Sequence, residues 1–188
     1  MSVSFLKINK LVFIISIAIS LVSCQKNDHL VAKLNHNKGL IKKYNDFKKQ
    51  GVEKSIVFSG NIIENVIDTA ISYIGTPNKY GAIDKHGIDA SGLVYIAVTK
   101  NSNIEFPRIA QDMARYGDAI SDPNKLKRGD LVFFFDTYEI NRIITSVGIY
   151  LGDGDFIHSS SSEGVKISQV NDPYYWKDKF FYGTRILN

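Results

Sequence analysis

His86-Gly87-Ile88-Asp89-Ala90-Ser91-Gly92-Leu93-Val94-Tyr95 joins a set of helix-capping residues to the start of an apolar run. Asp89, Ser91 and Gly92 are cap and turn residues, and Leu93 to Val98 is apolar enough to be a buried helix. The spacing predicts a helix from near Ala90 to about Lys100. The N-terminus of such a helix gathers unpaired N–H groups and positive dipole, which lowers a thiol pKa. A cysteine at position 90 would be activated there. This chain carries a methyl group instead.

Upstream, Ile62, Ile63, Val66, Ile67, Ala70, Ile71 and Ile74 hold helical spacing, with Asn61 and Glu64 placed as a capping box. Gly75-Thr76-Pro77 ends that helix, and a loop through Tyr80-Gly81 leads to the Ala90 helix. Downstream, Phe106-Pro107-Arg108 is an extended break, and Ile109 to Tyr116 reads as a short third helix stopped by Gly117. After Arg128-Gly129-Asp130 the pattern changes to strands: Leu131–Phe135, Ile143–Leu151, Asp155–Ser159, Val165–Val170 and Phe180–Ile186. Helices first, then consecutive strands joined by short turns, predict an α+β domain with N-terminal helices packed on a central antiparallel sheet.

The 188 residues suffice for one domain, spanning 61–188, behind a leader and a tether. Residues 25–60 carry eight lysines among scattered apolar positions broken by glycine and asparagine. With Cys24 they read as a Lys-rich tether (24–60) with short helical pieces, or as a basic face drawn to anionic lipid. The net charge of +4 falls when residues 1–23, with Lys7, Lys10 and no acid, are set aside: 21 basic residues then face 19 acidic ones. No basic patch with interleaved aromatics points to nucleic acid. The scattered histidines have no metal-ligand spacing, and nothing calls for a cofactor.

Lys7 and Lys10, an apolar run from Leu11 to Leu21, and Leu21-Val22-Ser23-Cys24 have the layout of a secretory signal peptide over residues 1–23. Its apolar run is short of the ~20 residues that span a bilayer. Leu21-Val22-Ser23-Cys24 resembles the lipobox of bacterial lipoproteins, which implies lipidation at Cys24, the one cysteine of the chain. Gln25 stands where aspartate would signal inner-membrane retention, so the expected location is the outer membrane, facing the periplasm.

Further blocks are Val147-Gly148-Ile149-Tyr150-Leu151-Gly152, Phe156-Ile157-His158-Ser159 and Tyr182-Gly183-Thr184-Arg185. With Gly75-Thr76-Pro77, Tyr80-Gly81, Ile88–Leu93, Phe106-Pro107-Arg108 and Gly129–Phe134, their order and spacing resemble the NlpC/P60 family, from roughly Asn61 to Leu187. The resemblance implies a papain-like cysteine peptidase fold that cleaves peptidoglycan stem peptides, commonly beside a γ-D-glutamyl bond. It further implies a nucleophilic cysteine in Asp-Cys-Ser-Gly, a base histidine directly before Val-Gly-Ile-Tyr, and a second histidine that orients the base.

Those positions fall on Ala90, Ser146 and His158, and the family's tyrosine after Gly-Thr-Pro falls on Asn78. A methyl group cannot attack a carbonyl, and a serine hydroxyl is a poor proton acceptor near neutral pH. The expectation is a domain without catalysis that binds stem peptides or scaffolds envelope proteins. The alternative is a cell-wall peptidase with a non-standard nucleophile. Ser91 sits one helical residue from position 90, turned roughly 100° away. The resemblance also implies that Asp89 and Ser91 hold the free amine of the stem peptide, although helix capping accounts for both equally well. Arg108 either meets a carboxylate or lies on the surface.

Overall fold

The structure, a computed structural model, describes residues 38–56, 58, 61–138 and 141–187. The leader and Cys24 lie outside the described residues. The chain divides into units 1–42 and 43–188, and only the start of helix α1 (Lys38–Lys49) is described in the first. In the second, α1 is followed by α2 (Ile63–Ile71), a hairpin of β1 (Ile83–Asp84) and β2 (Gly87–Ile88), α3 (Ala90–Thr99) and α4 (Ala110–Met113). Then come β3 (Asp118–Ile120), β4 (Leu131–Phe135), β5 (Ile144–Gly152), β6 (Asp155–Ser160), β7 (Gly164–Gln169), α5 (Trp176–Lys179) and β8 (Phe180–Arg185).

The six larger strands form one antiparallel sheet in the order β3-β8-β4-β5-β6-β7. β4 and the body of β5 are buried throughout, as expected of continuous apolar runs covered on both faces. One face packs Val132, Phe134, Tyr150 and Phe156 against Trp176 and Phe180. Buried α3 lies between α2 and the β5–β6 pair, with Leu93, Val94, Ala97 and Val98 fully enclosed. Leu93, Val94 and Val98 each contribute about 2 kcal/mol relative to exposure, and the Ala97 methyl less. This burial fixes where the first turn of α3 points.

Two local expectations give way. Asn61 Oδ1 accepts from Ile63 N at 3.3 Å, but Glu64 turns outward to Arg128 Nε (2.9 Å) and Nη2 (2.7 Å), so no reciprocal capping box forms. A guanidinium fork is a stronger partner than the helix's own N–H. Part of the stretch read as a tether is also held against the fold. Tyr44 and Phe47 stand one turn apart and set their rings edge-on to Phe181, at 5.8 and 6.1 Å, which buries Phe47. Lys54 then bridges Arg115 and Gly117 through its backbone, at 2.8 and 3.0 Å.

The Gly75-Thr76-Pro77 turn is stitched to β7: Gly75 N donates to Val165 O and Val165 N donates to Thr76 O, both at 2.9 Å. Gly75 has φ +82, which suits a residue without Cβ. This turn forms one wall of the groove described next.

Candidate functional site

Asp89 adopts extended backbone angles and caps α3, its Oδ1 accepting from Gly92 N at 2.6 Å. Its Oδ2 accepts from Gly81 N at 2.6 Å, tying the loop before the hairpin to the helix start. Arg108 completes the cluster, with Nη1 3.0 Å from Asp89 Oδ1 and 2.8 Å from Ser91 Oγ. Its Nη2 reaches Asp89 Oδ2 at 3.1 Å and Ala82 O at 3.2 Å. A Cβ on Gly92 would lie 2.6 Å from Ala82 O and 3.0 Å from both Asp89 Oδ1 and Arg108, so only glycine lets these pieces close.

Arg108 is therefore neither a free surface cation nor one awaiting a ligand carboxylate. It is an internal counter-ion. The Asp89 acceptors are filled from within the chain, and a peptide ammonium reaches them only by displacing a guanidinium. Asp89→Ala is expected to cost about 1–2 kcal/mol of unfolding free energy, from the lost cap and the stranded Arg108. A shift of the urea midpoint measures it, and an unchanged midpoint overturns this account.

Ala90, half-buried, opens α3. Ser146 lies in β5, buried at 7% exposure, and its hydroxyl makes no hydrogen bond among the described residues. Strand alternation puts Ser146, Gly148 and Tyr150 on one face, and Tyr150 pairs with Phe156 across β6, so His158 shares that face. His158 is 1% exposed, stacked on Phe156 at 4.9 Å and edge-on to Trp176 at 4.7 Å. Its Nε2 meets Ser168 Oγ at 3.0 Å, and Nδ1 is buried without a partner among the described residues. Burial holds the imidazole down at about 4, helped by the Lys166 charge and opposed by the Ser159 backbone and Glu163. It is neutral at physiological pH. The Ser146–His158 pair that neighbouring strands would permit does not form.

Ala90, Ser146 and His158 nevertheless line one groove of 1190 Å³, together with Asp89, Ser91 and Asn78. Asn78 donates to Ser159 Oγ at 2.8 Å, and Ser159 Oγ donates to Ile88 O at 2.7 Å, which fastens the loop wall to β6 and β2. Gln111, on α4, accepts from Ile143 N at 3.0 Å and so pins the start of β5. Sequence reasoning passed over Gln111, Ser168, Trp176 and Arg142. Arg142, whose cationic side chain stands four residues before Ser146, carried a readable signal. Among the described residues no cluster of three His, Cys, Asp or Glu side chains is placed to hold a metal.

The sequence model of the NlpC/P60 family matches residues 75–185. Murein DD-endopeptidase MepS/Murein LD-carboxypeptidase of Escherichia coli (strain K12) is 32% identical over 135 residues, covering 72% of this chain and 69% of that protein. The probable endopeptidase NlpC of the same organism is 36% identical over 125 residues, covering 66% and 79%. Among solved structures, an NlpC/P60 family protein from Bacillus cereus aligns with a TM-score of 0.59 at 28% identity, over 71% of this chain and 42% of that one. A Staphylococcus aureus protein described as similar to lipoprotein, NLP/P60 family, gives 0.61 at 28% identity, over 71% and 44%. The chain spans less than half the length of these two structures.

Proposed function

The chain belongs to the NlpC/P60 family, and we propose that within it this protein is a catalytically inactive, membrane-tethered member that binds peptidoglycan stem peptides or scaffolds cell-wall proteins. One observation carries the reading: the groove keeps its walls, while α3 opens with Ala90 and the facing strand offers Ser146. Ala90 supplies no nucleophile, and the Ser146 hydroxyl is not a base of useful pKa. The relatives named as endopeptidases support a peptidoglycan ligand for the groove. The Leu21–Cys24 run supports a lipid anchor at Cys24, and Gln25 in place of a retention aspartate supports a place on the outer membrane facing the periplasm.

A second reading, a peptidase with a non-standard nucleophile, draws on the 3.0 Å contact between Ser168 Oγ and His158 Nε2. Against it, an imidazole held at about 4 is a weak base for a serine proton. Among the described residues its buried Nδ1 also has no partner to steady an imidazolium.

Digestion of purified sacculi with mass spectrometry of the soluble products tests both. The expected result is no fragment above a heat-inactivated control. Fragments that vanish in Ser168→Ala would establish the second reading. Retention of the protein on sacculi above an unrelated lipoprotein is the matching expectation for binding.

A further inference from the structure

Six charged side chains line the groove: Asp89, Arg108, Arg142, Glu163, Lys166 and Asp172. Four of them neutralise one another, Arg108 against Asp89 at 3.0 Å and Lys166 against Glu163 at 2.7 Å. Asp172 turns back on its own chain and accepts from Tyr174 N at 3.1 Å. Arg142 is left. It is half-buried and has no acidic partner among the described residues. It precedes β5 by two residues, so its backbone is set by the strand that carries Ser146. Arg142 shares the groove lining with Tyr138, Asp89 and Ala90, and its charge acts on the Tyr138 hydroxyl, which is raised mainly by burial and then by Tyr80 and Asp89.

We propose that Arg142 is the groove's carboxylate-recognition residue, selecting a peptide ligand that presents a free carboxylate. This rests on the peptide-binding reading above. A guanidinium half withdrawn from water, with no ion-pair partner among the described residues, favours an anion, and its planar fork fits a carboxylate through two parallel N–H···O bonds. With Arg108 engaged by Asp89, Arg142 carries the ligand-directed positive charge among the described groove residues. The selectivity of the groove is therefore for peptide acid over peptide amide.

The test uses the detergent-solubilised full chain and a matched pair of probes: L-Ala-γ-D-Glu-L-Lys with its carboxylates free, and the same peptide with them amidated. Calorimetric titration should show the free acid binding at least ten-fold tighter, with the preference shrinking as salt rises. Arg142→Gln should reduce that preference to within two-fold without shifting the thermal midpoint, and Arg142→Lys should restore part of it. If both peptides bind equally, or Arg142→Gln keeps the full preference, the assignment to Arg142 falls and peptide binding stands. If neither peptide binds the wild type, the peptide-binding reading falls and Arg142 with it.

Discussion

An Ala90→Cys variant is expected to release stem-peptide fragments no faster than the wild-type background, whereas Ala90→Cys combined with Ser146→His releases them at least about 10²-fold above that background, the low end of what a positioned general base contributes. The single change restores only the nucleophile. The start of α3 supplies N–H groups and dipole that favour a thiolate, and Arg108 already offsets the neighbouring Asp89 charge. Ser146 still gives no group to take the proton. In the double variant an imidazole at 146 lies on the same face as His158, whose Nδ1, without a partner among the described residues, is available to hold it. Fragment release by the single variant would show that the base lies elsewhere. A double variant that binds peptide yet releases nothing would show that the groove no longer presents the bond in reacting geometry.

Acid sensitivity is the second large effect. The folded pKa of His158, about 4, lies below the unfolded value of 6.5, so the unfolded chain binds the extra proton between those two values. The contribution is fully present above about pH 6.5, shrinks as pH falls, and is gone below about pH 4. At 1.36 kcal/mol per pKa unit it amounts to about 3 kcal/mol. Carboxylates titrate in the same window, so the measurable quantity is the difference from His158→Phe. That side chain keeps the stack between Phe156 and Trp176 but takes no proton. Urea unfolding at pH 7.5 and pH 4 should show wild type losing about 3 kcal/mol more than the variant. Parallel losses would mean His158 is protonated inside the fold.

Most of the sheet was legible because its strands are continuous apolar runs closed by glycine turns, and Leu131–Phe135 has the predicted limits. The helix at Ala90 was legible for the same reason: Asp89 caps it as the sequence indicates. The edge strand β3 and the two-residue hairpin of β1 and β2 were not, because so few residues carry no periodicity. Helical pieces were legible before residue 60, but the docking of α1 was not, because two aromatic residues among many lysines look solvated and their partner Phe181 is more than a hundred residues away. At the site, sequence blocks located Ala90, Ser146 and His158, and all three line the groove. The roles of Arg108 and Ser168 depend on contacts between distant elements, which spacing alone does not encode.

The stitch between the Gly75-Thr76-Pro77 turn and Val165 bears on how copies of this protein tolerate one another. β7 is an outer strand of the six-stranded sheet, and outer strands recruit foreign strands through their open N–H and C=O groups. Here Val165 already exchanges both of its outward bonds with the turn, and the opposite margin, β3, is only three residues long. Neither margin offers a long template for strand addition. Crowded copies of this chain thus have little open edge through which to add strands to one another.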